Sequence, residues 1–383
     1  MITENIYFYI AVLIIAFIIS IILELMVLPR IIYISKKKHL YESSDKNSSM
    51  HSNPQLAGIS FFPILLVVFS FCCIITSKYA PASPFITIEA DFIKLFGLII
   101  GNILILGSGI KSDLVGSRNL HKKIIQIIAA MSLVYSGLYL NNLNGLFGIW
   151  EIPASIGMPP TVILIVFIIN ATNMIDGANG LASGISIIAL ITLGILFLIR
   201  GMFLYTLVSI IMVGILLPFF YYNAFKPKRK ISIGETGSFT LGFILSYLGI
   251  RFAMEAPTNY EHFNAPILIF FSTLLVPIFD SLRVILSSIF SDTSLRRPFR
   301  LHIHHKLLAL GFSQHKVLIC LVTCAELLIL LNIFLVKVIN INIMFVLNLA
   351  IWIGFVKIVN IRLKKQKELN NHCVIISFNK VSN

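Results

Sequence analysis

Residues 6–28 read IYFYIAVLIIAFIISIILELMVL, a run in which Ser20 and Glu24 are the only polar side chains outside the aromatic residues. At the helical rise of about 1.5 Å per residue, such a run spans the hydrocarbon core of a bilayer, about 30 Å. It follows Glu4 rather than a basic stretch and ends at Pro29-Arg30 without a small-residue cleavage site, so it reads as a retained anchor rather than a removed signal. Similar runs recur along the chain. The expected spans are 6–28, 58–76, 94–110, 124–140, 158–174, 180–199, 203–222, 238–254, 265–282, 317–336 and 341–361, about eleven in all. Composition agrees: 57% of the residues are hydrophobic, 12% are charged and the mean hydropathy is +0.93. A soluble globule of 383 residues needs more polar cover than that. The expected fold class is an all-α integral membrane protein, with residues 1–361 as one polytopic domain and 362–383 as a basic tail.

A net charge of +14 suits nucleic acid in a soluble protein, but in a multispanning one it is tested against loop parity. Basic residues gather after the odd-numbered spans, at Arg30/Lys36/Lys37/Lys38/Lys46, Lys111/Arg118/Lys122/Lys123, Lys226/Lys228/Arg229/Lys230, Arg283/Arg296/Arg297/Arg300/Lys306/Lys316 and Arg362/Lys364/Lys365/Lys367/Lys380. Even-numbered connections hold only the isolated Lys78, Lys94, Arg200, Arg251 and Lys337, and 141–157 has no basic residue. The positive-inside rule then places the amino terminus outside and the carboxyl terminus in the cytoplasm, with membrane lipids rather than nucleic acid as the basic face's surroundings. The cysteines Cys72, Cys73, Cys320, Cys324 and Cys373 lie in spans or in the tail with no paired loop spacing, which implies neither disulfides nor zinc.

Only 16 residues are acidic, and four of them, Asp113, Asp176, Glu235 and Asp280, fall at or just beyond the cytoplasmic ends of expected helices. Asp113 lies in a short polar loop, Gly109–Gly116. Asp176 lies in the Asx- and Gly-rich break Asn170–Gly180, and unpaired backbone at that depth is tolerated only inside protein or beside a wet cavity. Glu235 lies in Gly234-Glu235-Thr236-Gly237-Ser238, whose glycines present N–H groups at a helix start, where phosphate binds. Asp280 and Arg283 lead into the longest cytoplasmic loop, with Arg300, His302, His304 and His305. Carboxylates for a hard cation, and cations with N–H donors for phosphoryl oxygens, are what a divalent metal with phosphate substrates requires. Taken singly, each segment is equally a turn, a helix-end ion pair or a solvated loop.

At these residues the chain resembles the polyprenyl-phosphate N-acetylhexosamine-1-phosphate transferases, of glycosyltransferase family 4 type, over roughly residues 20–320. Asn173-Met174-Ile175-Asp176-Gly177-Ala178-Asn179-Gly180-Leu181 through Gly184 is similar to the family's N-M-[IV]-D-G-x-[DN]-G-L-x-x-G. Gly234–Ser238 with Gly242 is similar to G-D-x-G-S-x-x-x-G, and Pro277–Arg283 to P-[IL]-x-D-x-x-R. His302-Ile303-His304-His305 resembles the H-[IL]-H-H of the branch serving O-antigen (lipopolysaccharide), enterobacterial common antigen and teichoic acid precursors, the undecaprenyl-phosphate N-acetylglucosamine-1-phosphate transferase-like branch.

The resemblance implies ten or eleven helices in the bacterial inner membrane, cytoplasmic loops forming the active site, and transfer of a sugar-1-phosphate from a UDP-N-acetyl sugar to undecaprenyl phosphate with release of UMP. It implies Mg²⁺, with Mn²⁺ as an alternative, held by Asp113, Asp176 and Glu235, with Asn173 and Asn179 assisting Asp113 and Asp176 in catalysis. Arg300, His302, His304, His305, Asp280, Arg283 and His51 would contact substrate, and a homodimer is allowed. Departures accompany the match. The family's first Asp-Asp pair is Ser112-Asp113, the second acid of D-G-x-D-G is Asn179 and the acid of G-D-x-G is Glu235. In the amino-terminal pattern R-K-x-H…P-x-x-G-G, His51 and Gly58 are kept while Ser48-Ser49 and Ala57 replace the rest. Two other function classes stand beside the transferase: a degenerate relative that binds lipid phosphate as a scaffold, motivated by Ser112 and Asn179, and a transporter, which the one-sided polar cluster and the lack of an inverted repeat disfavour.

Overall fold

With no water in the bilayer core to take up N–H and C=O groups, each crossing segment must satisfy its backbone internally, as helix. The computed structural model, which describes residues 2–40, 56–79, 88–226, 231–254, 265–290 and 302–381, takes that form. Helices α1 (Ile2–Lys37), α2 (Phe61–Tyr79), α3 (Ile88–Val115) and α4 (Asn119–Tyr135) lead to a hairpin of β1 (Asn142–Leu146) and β2 (Ile149–Glu151). Then come α5 (Ala154–Met174), α6 (Leu181–Ile199), α7 (Phe203–Phe225), α8 (Gly234–Ala253), α9 (Pro266–Thr273), α10 (Leu275–Phe290), α11 (Ile303–Ala309), α12 (Gln314–Leu335) and α13 (Ile341–Val381).

Every expected span coincides with a helix, or with the pair α9 and α10, which is bent by 73°. Pro277 accounts for the bend, since it has no N–H to offer the carbonyl of Thr273 four residues back. Among the described residues, eight helices are long and apolar enough to cross a membrane, or nine if the bent pair is one span. The expected eleven is not reached on that measure, because α4 and α8 fall short of it. α4 has 17 residues and opens with His121, Lys122 and Lys123. α8 differs for another reason. All of its residues except Glu235 and Arg251 are buried, among α3, α5, α6 and α9, so it meets protein rather than lipid and tolerates Gly, Ser and Thr. Its Ser238 and Ser246 hydroxyls donate to the carbonyls of Gly234 (2.9 Å) and Gly242 (2.8 Å). Outside this centre the helices turn Ile, Leu and Phe outward, as a lipid-facing surface requires.

Other expectations shift. The connection 141–157 contains the hairpin, turned by Phe147 and Gly148 with φ of +56° and +77°, a two-residue turn with both residues left-handed. Asp113 sits in the last turn of α3 rather than in a loop. The 362–383 tail begins as unbroken α13. Lys94 and Arg251 lie 3.5 and 3.6 Å from Asp91, and Arg251 Nε donates to the Tyr205 hydroxyl (3.0 Å), which donates to Asp91 (2.8 Å). Arg200 stacks 4.5 Å above the Phe252 ring.

Candidate active site

The first N–H groups of any helix lack intrahelical acceptors. In α8 those of Glu235 and Thr236 donate to Asp113 Oδ1 (2.9 Å) and Oδ2 (3.1 Å), and the Thr236 hydroxyl donates to Oδ2 (2.6 Å). Asp113 thus caps α8 from α3, where the positive end of the helix dipole favours a carboxylate. A side chain at Gly234, where φ is +71°, would stand 2.7 Å from Asp113 Oδ2, so the approach needs glycine. Beside it, Gly58, in the single tight turn Ala57–Ile59 before α2, packs on Gly237 so tightly that an added Cβ would lie 2.0 Å from the Gly237 Cα. The cap points Glu235 toward α4, where Lys122 Nζ lies 2.6 Å from Oε1. Glu235 Oε2 is buried and has no hydrogen-bond partner among the described residues.

The Asx- and Gly-rich break is a break in the structure too. α5 stops at Met174, Ile175–Gly177 form a single tight turn that holds the half-buried Asp176, and Gly180 (φ +77°) opens α6. Polar side chains hold the stretch on every side. Asn173 Nδ2 donates to the Ser238 hydroxyl of α8 (2.8 Å), and Asn170 Nδ2 to Gln126 Oε1 of α4 (2.8 Å). Asn223, at the end of α7, accepts from the Gly180 N–H and donates to the Ile231 carbonyl (2.6 Å) just ahead of α8. Asn179 donates to Gln314 at the start of α12.

The third element is α11, whose N-cap is His302. Asp280 of α10 is fully buried and satisfied: it accepts from Arg283 (2.6 and 3.2 Å) and from the Ile303 N–H (3.2 Å), and it faces His302 Nδ1 at 2.8 Å. Asp280 thus holds the histidine stretch, with Arg283 paired to it. The His302 and His304 rings lie parallel, 5.7 Å apart, and His304 and His305 are 4.2 Å apart. His304 is 1% exposed, and neither ring nitrogen has a partner among the described residues. Burial, then the charges of His305 and His302, push its pKa down to about 3, so the ring is neutral. Its Nε2 faces the break, 2.6 Å from where a Gly177 Cβ would be. Burial, with the Arg283 charge, lowers the pKa of Lys306, which donates to Asn360 of α13 (2.8 Å).

Asp113, Glu235, Asn173, Asp176, Asn179, Asp280, Arg283, His302, His304 and His305 therefore gather at one end of the bundle, around the 170–180 break. His51 and Arg300 lie outside the described residues. Lys122, Gln126, Asn223 and Thr236 were missed by motif reading; the i,i+4 spacing of Lys122 and Gln126, which sets them on one helix face, is the signal that would have found two of them. Among the described residues no three His, Cys, Asp or Glu side chains stand close enough to hold a metal unaided. Glu235 Oε2, a hard oxygen without a partner among the described residues, fits a cation that completes its shell with substrate oxygens.

Residues 95–253, from α3 to the end of α8, match the family model described as glycosyl transferase family 4. The chain is 33% identical over 222 residues to a probable undecaprenyl-phosphate N-acetylglucosaminyl 1-phosphate transferase of Bacillus subtilis, covering 58% of this chain and 60% of that one. It is 25% identical over 210 residues to an undecaprenyl-phosphate alpha-N-acetylglucosaminyl 1-phosphate transferase of Yersinia pestis (54% of this chain, 56% of that one). It is 28% identical over 241 residues to a decaprenyl-phosphate N-acetylglucosaminephosphotransferase of Mycobacterium tuberculosis (58% of this chain, 59% of that one). The chain thus spans somewhat over half the length of these curated relatives. The matched α3–α8 core holds both the capped Glu235 turn and the Asn173–Gly180 break, and over that core the chain is similar to glycosyl transferase family 4.

Proposed function

We propose that this membrane protein transfers the sugar-1-phosphate of a UDP-N-acetylhexosamine to undecaprenyl phosphate, releasing UMP and starting a lipid-linked glycan of the bacterial cell envelope. The observation that carries this reading is the break between α5 and α6, flanked by buried polar atoms that have no partner among the described residues: Glu235 Oε2 on the α8 side and both His304 nitrogens on the α11 side. Buried polar groups are normally satisfied, so such atoms mark where a polar ligand belongs. The relatives, named for N-acetylglucosaminyl 1-phosphate transfer with a polyprenyl phosphate, and the basic residues on the same connections support a lipid phosphate and a nucleotide-diphosphate sugar as that ligand.

In the reaction an oxygen of the lipid phosphate bonds to the sugar-bearing phosphorus as the bond to the UMP oxygen breaks. The attacking phosphate is ionised at neutral pH, so the protein's work is alignment and charge compensation rather than base catalysis. Lys122 and the cations of the α10–α11 region offset phosphate charge. Neutral His304 offers one donor and one acceptor nitrogen in a dry position. Asp280 fixes the histidine stretch, and Asp113 fixes the turn that aims Glu235. Glu235 and Asp176 are the carboxylates that would hold Mg²⁺ or Mn²⁺, which when bound neutralises diphosphate charge and steadies the UMP leaving group. The basic connections favour a cytoplasmic site, an external amino terminus and the inner membrane, and the His-Ile-His-His stretch favours the branch that uses N-acetylglucosamine. The test incubates membranes bearing the protein with undecaprenyl phosphate, Mg²⁺ and labelled UDP-sugars. UMP and a lipid-linked product from one sugar are expected, and neither product from any sugar would reject catalysis.

A further inference from the structure

Gln126 lies on α4 one turn from Lys122, on the same face, and is 1% exposed. Its amide orientation follows from its neighbours. Asn170 Nδ2 donates to the Val166 carbonyl at 2.7 Å, and a carbonyl can only accept, so that atom of Asn170 is nitrogen. The same nitrogen points at Gln126 at 2.8 Å, so the Gln126 atom facing it is the oxygen. Nε2, with two N–H groups, is therefore the end turned away from Asn170. It is buried and finds no acceptor among the described residues.

A buried donor with no acceptor costs more than an ordinary hydrogen bond gains, so its persistence implies an acceptor that the described residues do not supply. What that acceptor is follows from the surroundings. One turn along the same face is the Lys122 ammonium, held at Glu235, and across from it the Asn170–Asn173 stretch is pinned to α8 through Ser238. A cation and a two-proton amide on one helix face suit an anion carrying several oxygens. We propose that Gln126 is a substrate-contact residue that donates Nε2–H to a phosphoryl oxygen of the substrate bound at the 170–177 break. This rests on the transferase reading, and it adds a contact that the acidic and histidine motifs do not contain.

The test uses the full chain in lipid nanodiscs as wild type, Q126L and Q126E, with undecaprenyl phosphate and UDP-N-acetylglucosamine as separate binding probes and no turnover. Glutamate keeps the oxygen that Asn170 needs and replaces the donor with a negatively charged acceptor. Expected is a weakening of about tenfold or more for Q126L toward at least one probe, as for loss of a hydrogen bond to a charged group, and a larger one for Q126E. The probe affected tells whether the lipid phosphate or the nucleotide diphosphate is the partner. Wild-type affinity of both variants for both probes overturns the proposal. So does a loss confined to thermal stability, the result if an ordered water alone fills the site. Failure of the underlying reading looks different: the wild type releases no UMP, whatever its variants bind.

Discussion

The two ends of α8 carry charge in opposite ways. At the Arg251 end, Asp91, Lys94, Tyr205 and Arg251 close on one another, with Asp91 Oδ1 meeting Lys94, Arg251 and the Tyr205 hydroxyl, and that hydroxyl accepting from Arg251. At the Glu235 end, Asp113 is satisfied by the helix it caps, yet Glu235 Oε2, Gln126 Nε2 and the His304 ring are buried and without partners among the described residues. Both clusters lie in the low-dielectric bundle, where an unmade bond is costly. A closed cluster staples helices together, whereas an open one is kept for something that is not part of the chain. Burial and charge alone do not distinguish them; hydrogen-bond completeness does.

That contrast can be broken by substitution. Glu235→Ala is expected to cut UMP release by at least about a hundredfold while leaving the melting temperature near wild type, as for loss of a group acting on transition-state charge. Asp113→Ala is expected to lower both, because removing a cap costs about 1–2 kcal/mol and frees the Glu235 turn; thermal melts and UMP release measured together separate the two effects. At the closed end the pattern inverts: Tyr205→Phe is expected to destabilise by about 1–3 kcal/mol through the lost bridge between Asp91 and Arg251, with KM for both substrates unchanged. A last expectation concerns acid. His304 binds a proton only near pH 3 when folded but near its ordinary 6.5 when unfolded, so between those values the unfolded state takes up more protons. Its contribution to stability is complete above about pH 6.5 and falls as pH drops toward 3, so His304→Gln is expected to lose less stability than wild type between pH 7 and 4 in detergent melts.

Much of this was legible in the sequence because the bilayer forces it. Apolar length reports spans, and an Asn- and Gly-rich break at membrane depth reports a cavity, so the interruption between α5 and α6 and the gathering of Asp113, Glu235 and His302–His305 at one end were both expected. What the sequence concealed has physical reasons as well. α8 is shielded by protein, so its Ser, Thr and Gly content blurs the hydropathy signal that marks lipid-facing helices. The hairpin at 142–151 is too short for a strand period to stand out. Lys122 looked like one more basic residue in a positive-inside loop, and only its distance to Glu235 shows a second use. A carboxylate motif does not reveal that the Asp280 oxygens meet His302, Ile303 and Arg283.

The burial of α8 has a mechanical consequence. The helix is about 30 Å long at the usual rise and carries a member of each cluster at its tips, Glu235 at one and Arg251 at the other. Gly237 abuts Gly58, and Gly242 abuts Ile169 closely enough that a Cβ would lie 2.7 Å from that residue's Cα. The helix is therefore a strut of fixed length and fixed height. Sliding it by one residue would lift Glu235 out of the cap made by Asp113 and drag Arg251 from Asp91 in the same stroke, so the depth of the open end in the membrane is set by the closed end on the other side.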